Sequence, residues 1–128
     1  MFSKHTIHTT IPATNLERAK KFYAEKLGLR PEMETPGGVM YRLNDSSFTL
    51  YPTQFAGTAK HTLAEFETEN LDQDMQELRT KGVVFEEYDM PNLKTMNGVA
   101  KIGSDKAAWF KDSEGNILAL TQMEKRNK

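Results

Sequence analysis

The sequence uses one pattern of helix boundaries twice, and this repeat restricts the fold more than any other feature. Asn15-Leu16 and Asn70-Leu71 each open a segment with apolar residues at helical spacing, and Gly28 and Gly82 close the two segments. Strand candidates flank both helices, so each half reads strand, helix, then three strands. Neither half can bury its helix and its sheet face alone. We therefore predict an α+β fold in which two βαβββ modules, about residues 5–59 and 60–123, form a single domain.

Local signals predict where the elements of each module begin. Thr6–Ile11 alternates and is rich in β-branched residues, which predicts the first strand. Thr14, with Glu17 three residues later, has the form of a capping box in front of the first helix. Asn70, with Gln73 three residues later, has the same form in front of the second.

The second half ends in a predicted hairpin. Val83–Tyr88 reads as a strand, and Pro91–Asp105 reads as an irregular segment that is either a mobile lid or an ordinary long loop. In Ala107–Gln122, two apolar runs flank a cluster of Asp, Ser, Glu, Gly and Asn, which is typical of two strands and their turn. Strand alternation places Trp109 and Phe110 on opposite faces of the sheet.

Three segments together resemble one protein family. Asn15–Tyr23, Leu27–Leu29 and the hairpin Trp109–Gln122 are similar to motifs of the vicinal oxygen chelate superfamily, which includes glyoxalases, bleomycin resistance proteins and extradiol dioxygenases. The resemblance covers nearly the whole chain. It implies mixed sheets curled into an open cup, with helices outside and the ligand inside. It also implies a homodimer whose grooves are completed by both subunits.

Metal-dependent members of this family place one ligand on the first and one on the last strand of each module. The resemblance carries these positions to His8, Leu63 and Ala119, and to Thr49, or to Leu50 if the strand register shifts by one. Of these residues, only His8 has a side chain that binds a divalent metal well. We therefore expect a degenerate metal site and no metal cofactor.

Two other uses of the polar residues stay open. His61 and Glu65 share a strand face with Leu63, so a shifted metal site of His8, His61 and Glu65 is one alternative. The other is a metal-free enzyme in which His8 or Glu65 acts as the general base. A lone histidine is more often a structural hydrogen-bonding group than a catalyst.

Composition excludes several classes of function. The chain has 17 Lys+Arg, 18 Asp+Glu and no Cys, so neither a nucleic-acid nor a membrane-surface partner is indicated, and thiolate chemistry and disulfides are excluded. We find no leader and no apolar run of membrane-spanning length, and we expect a cytoplasmic protein. The terminal Lys125–Lys128 is predicted to be a solvated tail.

The sequence thus predicts metal-independent binding of a small organic molecule in a hydrophobic cup with an aromatic edge, similar to the bleomycin-resistance type of protein. Two alternatives remain: a metal-dependent lyase, isomerase or thiol transferase of the glyoxalase kind, and a purely structural module. The residues expected to contact the ligand come from both modules: His8, Thr10, Thr49, Tyr51, Leu63, Glu65, Trp109, Phe110 and Ala119.

Overall fold

The structure is a computed structural model that describes residues 1–124. The predicted tail Lys125–Lys128 lies outside the described residues. After a short 3-10 turn at Phe2–Lys4, the elements in chain order are β1 (Thr9–Ala13), α1 (Leu16–Leu27), β2 (Met33–Thr35), β3 (Gly38–Leu43), β4 (Ser46–Pro52), β5 (Ala64–Glu67), α2 (Leu71–Thr80), β6 (Asp89–Met90), β7 (Leu93–Lys94), β8 (Ala100–Ile102), β9 (Asp105–Lys111) and β10 (Ile117–Gln122). Neither described helix is long and apolar enough to cross a membrane.

The two halves form sheets with the same topology. The first sheet has the order β1-β4-β3-β2 and the second has the order β5-β10-β9-β8. In each sheet the first and last strands of the module pair in parallel, and the other neighbours are antiparallel. A separate hairpin of β6 and β7 is inserted in the second half. This duplicated arrangement confirms the predicted α+β fold built from two modules.

Both helices begin at an asparagine. The Asn70 side chain accepts a hydrogen bond from the Gln73 amide at 3.1 Å, as predicted for the second helix. The predicted capping box at Thr14 is wrong: the N-cap is Asn15, whose Oδ1 accepts from the Arg18 amide at 3.0 Å. At the other end of α1, Gly28 adopts φ 69° and closes the helix in the left-handed conformation that favours glycine.

The first strand starts later than its sequence pattern indicates. The alternating pattern of Thr6–Ile11 predicts a strand that starts at Thr6, but β1 begins at Thr9, and Ile7 is 94% exposed. The partner strand β4 begins at Ser46, directly after the turn from β3, and Thr9 pairs with Phe48. Residues before Thr9 therefore have little of β4 left to pair with. Pro12 lies within β1, which is an edge strand, where a missing amide donor is tolerated.

Two predictions for the second half are wrong. Val83–Tyr88 is not a strand: Phe85 forms an isolated bridge with Phe110, and pairing there goes no further in the described structure. The reason is that β8 occupies the same edge of β9 opposite Asp105–Ala107. Pro91–Asp105 is also not wholly irregular, because it contains β7, β8 and the start of β9. These strands are too short to show a two-residue period.

The core is shared by both modules. Helix-facing side chains of the first sheet, such as Ile11 and Leu50, belong to the same buried cluster as Leu118 and Phe110 of the second. The helices contribute to this cluster from both halves, including Tyr23 from α1. The opposite faces of the two sheets therefore remain available to ligands or partners.

Candidate functional site

The face of the second sheet that points away from the shared core carries a groove of about 460 Å³. We call it the second-sheet groove and define it by its lining residues, Thr62, Leu63, Ala64, Glu65, Ile102, Asp105, Ala107, Trp109, Ala119, Thr121 and Met123. All of them belong to the second module. Its volume lies within the range of about 300–1,000 Å³ that is typical of small-molecule sites.

Strand alternation decides which aromatic ring reaches this groove. Trp109 lines it, next to Ala119 on the neighbouring strand, and the two residues are paired across β9 and β10. The indole Nε1 donates to Thr62 Oγ1 at 3.0 Å. The Tyr88 ring packs edge-on against the indole, with 5.6 Å between the ring centroids. Phe110 instead points into the shared core, where it is 1% exposed. The structure therefore places Phe110 away from the groove.

Glu65 provides a carboxylate at the edge of the groove. It lies directly opposite Ala119 in the parallel pairing of β5 with β10. The Thr121 hydroxyl donates a hydrogen bond to Glu65 Oε1 at 2.6 Å. Thr121 is buried while Glu65 is exposed, so the sheet fixes the position of a carboxylate that still faces solvent.

The remaining expected ligand contacts lie on the first sheet. Thr10 is paired with Thr49, the register that the prediction preferred, whereas Leu50 is fully buried in the core. His8 precedes β1, and its Nδ1 lies 2.7 Å from Ser47 Oγ.

Tyr51 is on the same face of β4 as Thr49, and it is 36% exposed. None of these first-sheet side chains lines the second-sheet groove. The chain therefore divides the expected ligand site between two sheets rather than enclosing it in a single cavity.

Three of the four positions that the resemblance assigns to metal ligands carry side chains that do not fit a metal. Leu63 and Ala119 offer only hydrocarbon, and Thr49 offers a neutral hydroxyl, none of which replaces the imidazole or carboxylate donors that a divalent ion requires. The shifted alternative is not assembled either. Within residues 1–124, no three His, Asp or Glu side chains are grouped as metal ligands, and His61 Nδ1 is 3.0 Å from the Thr62 carbonyl oxygen.

The turn between β9 and β10 has a role that the sequence did not reveal. Its buried polar residues Asp112, Glu114 and Asn116, which we call the inter-module latch, connect the second module to the first. Asp112 Oδ1 accepts from the amides of Glu114 and Asn116 at 2.9 and 3.0 Å, which closes the turn. The Tyr23 hydroxyl on α1 donates to Asp112 Oδ2 at 2.7 Å, and Asn116 Nδ2 donates to the Pro12 carbonyl oxygen at 2.8 Å.

Glu114 anchors the latch to the start of α1. Its Oε1 accepts from the Asn15 amide at 2.8 Å, and Arg18 Nε donates to its Oε2 at 2.8 Å. Burial by itself raises the pKa of the Glu114 carboxyl. The hydrogen bonds from Arg18, Asn15 and Ser113, together with the positive charge of Arg18, outweigh burial and lower this pKa from 4.5 to about 2. Glu114 is therefore a structural carboxylate that is ionised at neutral pH.

Comparison with known proteins identifies the family. The model of the Glyoxalase/Bleomycin resistance protein/Dioxygenase superfamily matches residues 5–120, so the chain belongs to this superfamily, and the predicted resemblance is confirmed. A comparison with curated proteins finds no match.

Solved structures with the same fold come from several bacteria. TnmS3, an antibiotic binding protein from Streptomyces sp. CB03234, is 22% identical with a TM-score of 0.66, and the match covers 94% of this chain and 98% of that one. The glyoxalase family protein from Enterococcus faecalis is 23% identical with a TM-score of 0.69, covering 94% and 99%. A glyoxalase/bleomycin resistance protein/dioxygenase from Alicyclobacillus acidocaldarius is 13% identical with a TM-score of 0.70, covering 95% and 93%.

Proposed function

We propose that this protein binds a small organic molecule in the second-sheet groove and does so without a metal. The observation that carries the proposal is the lining of that groove: Ile102 is exposed there, the largely buried Trp109 forms part of its wall, and Leu63 and Ala119, which the resemblance assigned to metal ligands, have no donor atoms. Such a groove binds by shape and apolar contact, with Glu65 and Thr62 as polar groups at its edge. TnmS3, which shares the fold, is an antibiotic binding protein, and this supports binding as the function.

We further propose that a second copy of the chain completes the site. The second-sheet groove is open and is lined by one module alone, whereas Thr10, Tyr51 and Met33 on the first sheet are exposed. A homodimer in which the first sheet of one copy covers the groove of the other would bring both halves of the expected site together. It would also bury these exposed side chains.

The test of binding uses Trp109, which is the only tryptophan in the chain. We expect neutral phenylalkyl alcohols to change its fluorescence saturably, with one site per chain, and EDTA to have no effect. Ile102→Asn should weaken binding about fivefold, because it removes exposed apolar surface inside the groove. The matched control is Val84→Asn, since Val84 is also an exposed β-branched residue but lies outside the groove. Binding that disappears with EDTA and returns with zinc or nickel would refute metal independence.

The oligomeric state is tested separately by light scattering after size-exclusion chromatography. We expect a dimer for the unchanged protein, and a shift toward monomer for Tyr51→Glu, which places a charge on the first-sheet face. The same variant should weaken binding of the alcohols. A monomeric Tyr51→Glu variant that binds the alcohols as tightly as the unchanged protein does would show that one copy is sufficient.

A further inference from the structure

The charge of the second-sheet groove differs from the balance of the chain as a whole. The chain carries a net charge of −1, close to neutral. Yet among the described residues that line the groove, the ionisable ones are Glu65 and Asp105, with no lysine, arginine or histidine. A carboxylate at the edge of an apolar groove attracts cations and repels anions.

Glu65 is the better placed of the two acids to contact a ligand. The hydroxyl of the buried Thr121 donates to its Oε1 at 2.6 Å, and no described residue donates a hydrogen bond to its Oε2. In the described part of the chain, no salt bridge involves Glu65. The carboxylate is therefore positioned by the sheet but is not neutralised by a cation of the same chain.

The rest of the lining determines what the cation must be attached to. In the same groove, Ile102 offers exposed aliphatic surface, Leu63 is half-buried, and Trp109 lines the wall with 8% of the residue exposed. We infer that the ligand carries an amine or guanidinium group on an apolar body, and that Glu65 binds this cation while the body packs near Trp109. This inference rests on the proposed function, because it names the class of ligand for the same groove.

Three probes that share a phenylbutyl body separate charge from apolar contact: phenylbutylamine, phenylbutanol and phenylbutyrate. At neutral pH and low salt, Trp109 fluorescence should report that the amine binds about fivefold more tightly than the alcohol, as expected for one partly exposed ion pair. The butyrate should bind more weakly than the alcohol. Glu65→Gln should remove the preference for the amine and leave the affinity for the alcohol unchanged.

The matched control is Glu67→Gln, which changes the net charge equally and lies on the same face of β5 but outside the groove. It should keep the preference for the amine. If Glu65→Gln and Glu67→Gln weaken the binding of the amine equally, the inference is overturned, because the preference would then come from the overall charge of the protein. Binding of the alcohol at least as tight as that of the amine would also overturn it, with the proposed function intact. If none of the probes binds, the proposed function fails, and the inference fails with it.

Discussion

Glu114→Gln tests whether the inter-module latch stabilises the fold. The substitution keeps the shape of the side chain but removes the charge that Arg18 and the Asn15 amide stabilise. One pKa unit corresponds to about 1.4 kcal/mol, so lowering the pKa of Glu114 from 4.5 to about 2 corresponds to roughly 3 kcal/mol. Because the Arg18 side chain is 53% exposed, water screens the ion pair, and we expect a loss of about 2 kcal/mol near neutral pH.

The pH dependence gives this prediction its sign. The pKa of Glu114 is lower in the folded protein than its ordinary value of 4.5. The stabilisation is therefore fully present above that value and is lost as the pH falls from about 4.5 to about 2. Urea unfolding at a series of pH values should show the unchanged protein and Glu114→Gln becoming similarly stable at the acidic end.

The control for this experiment is Glu17→Gln. Glu17 is also at the start of α1, but its side chain is 86% exposed and its contact with Lys20 is a loose one at 3.6 Å. We expect this variant to change the free energy of unfolding by less than about 0.5 kcal/mol. A gap between the unchanged protein and Glu114→Gln that stays constant with pH would refute the reasoning, because it would show that packing rather than ionisation makes the difference.

Two further substitutions probe the same contact between modules. Tyr23→Phe removes the hydroxyl that donates to Asp112, and we expect urea unfolding to show a loss of stability of about 1–2 kcal/mol. The control is Tyr88→Phe, which should change the free energy of unfolding little, because the Tyr88 hydroxyl has no hydrogen bond in the described structure. Gly57→Ala should lower the free energy of unfolding by at least about 2 kcal/mol, because Gly57 has φ 76° and an added Cβ would collide with the Glu114 carbonyl oxygen. Thermal unfolding measures this loss, and a variant as stable as the unchanged protein would contradict this packing.

Short-range patterns in the sequence were sufficient for much of the fold. The side chain of Asn70 caps α2 through the amide of Gln73 only three residues away, and Gly28 ends α1 through its own backbone conformation. Strand alternation also correctly separated Trp109 from Phe110. These features depend on neighbours within one or two turns of chain, which is why a sequence without structural information reveals them.

The failures have a common cause. Val83–Tyr88 has the composition of a strand, yet it lies at the edge of β9 that β8 already occupies opposite Asp105–Ala107. Thr14 and Asn15 both belong to residue types that cap helices well. Asn15 is the N-cap in the structure, and its amide also donates a hydrogen bond to the distant Glu114. In both cases a partner far along the chain decides between local alternatives.

By itself, the sequence determined the two-module plan, the family and the absence of donors at Leu63 and Ala119, because repeats, helix caps and side-chain chemistry are all local properties. The tertiary structure was needed to show that the expected first-sheet contacts do not line the second-sheet groove and that Thr121 hydrogen-bonds Glu65. It also revealed the latch, in which Arg18 and Glu114 meet across 96 positions of sequence. Contacts over such distances follow from how the modules pack, and no periodicity in the chain encodes them.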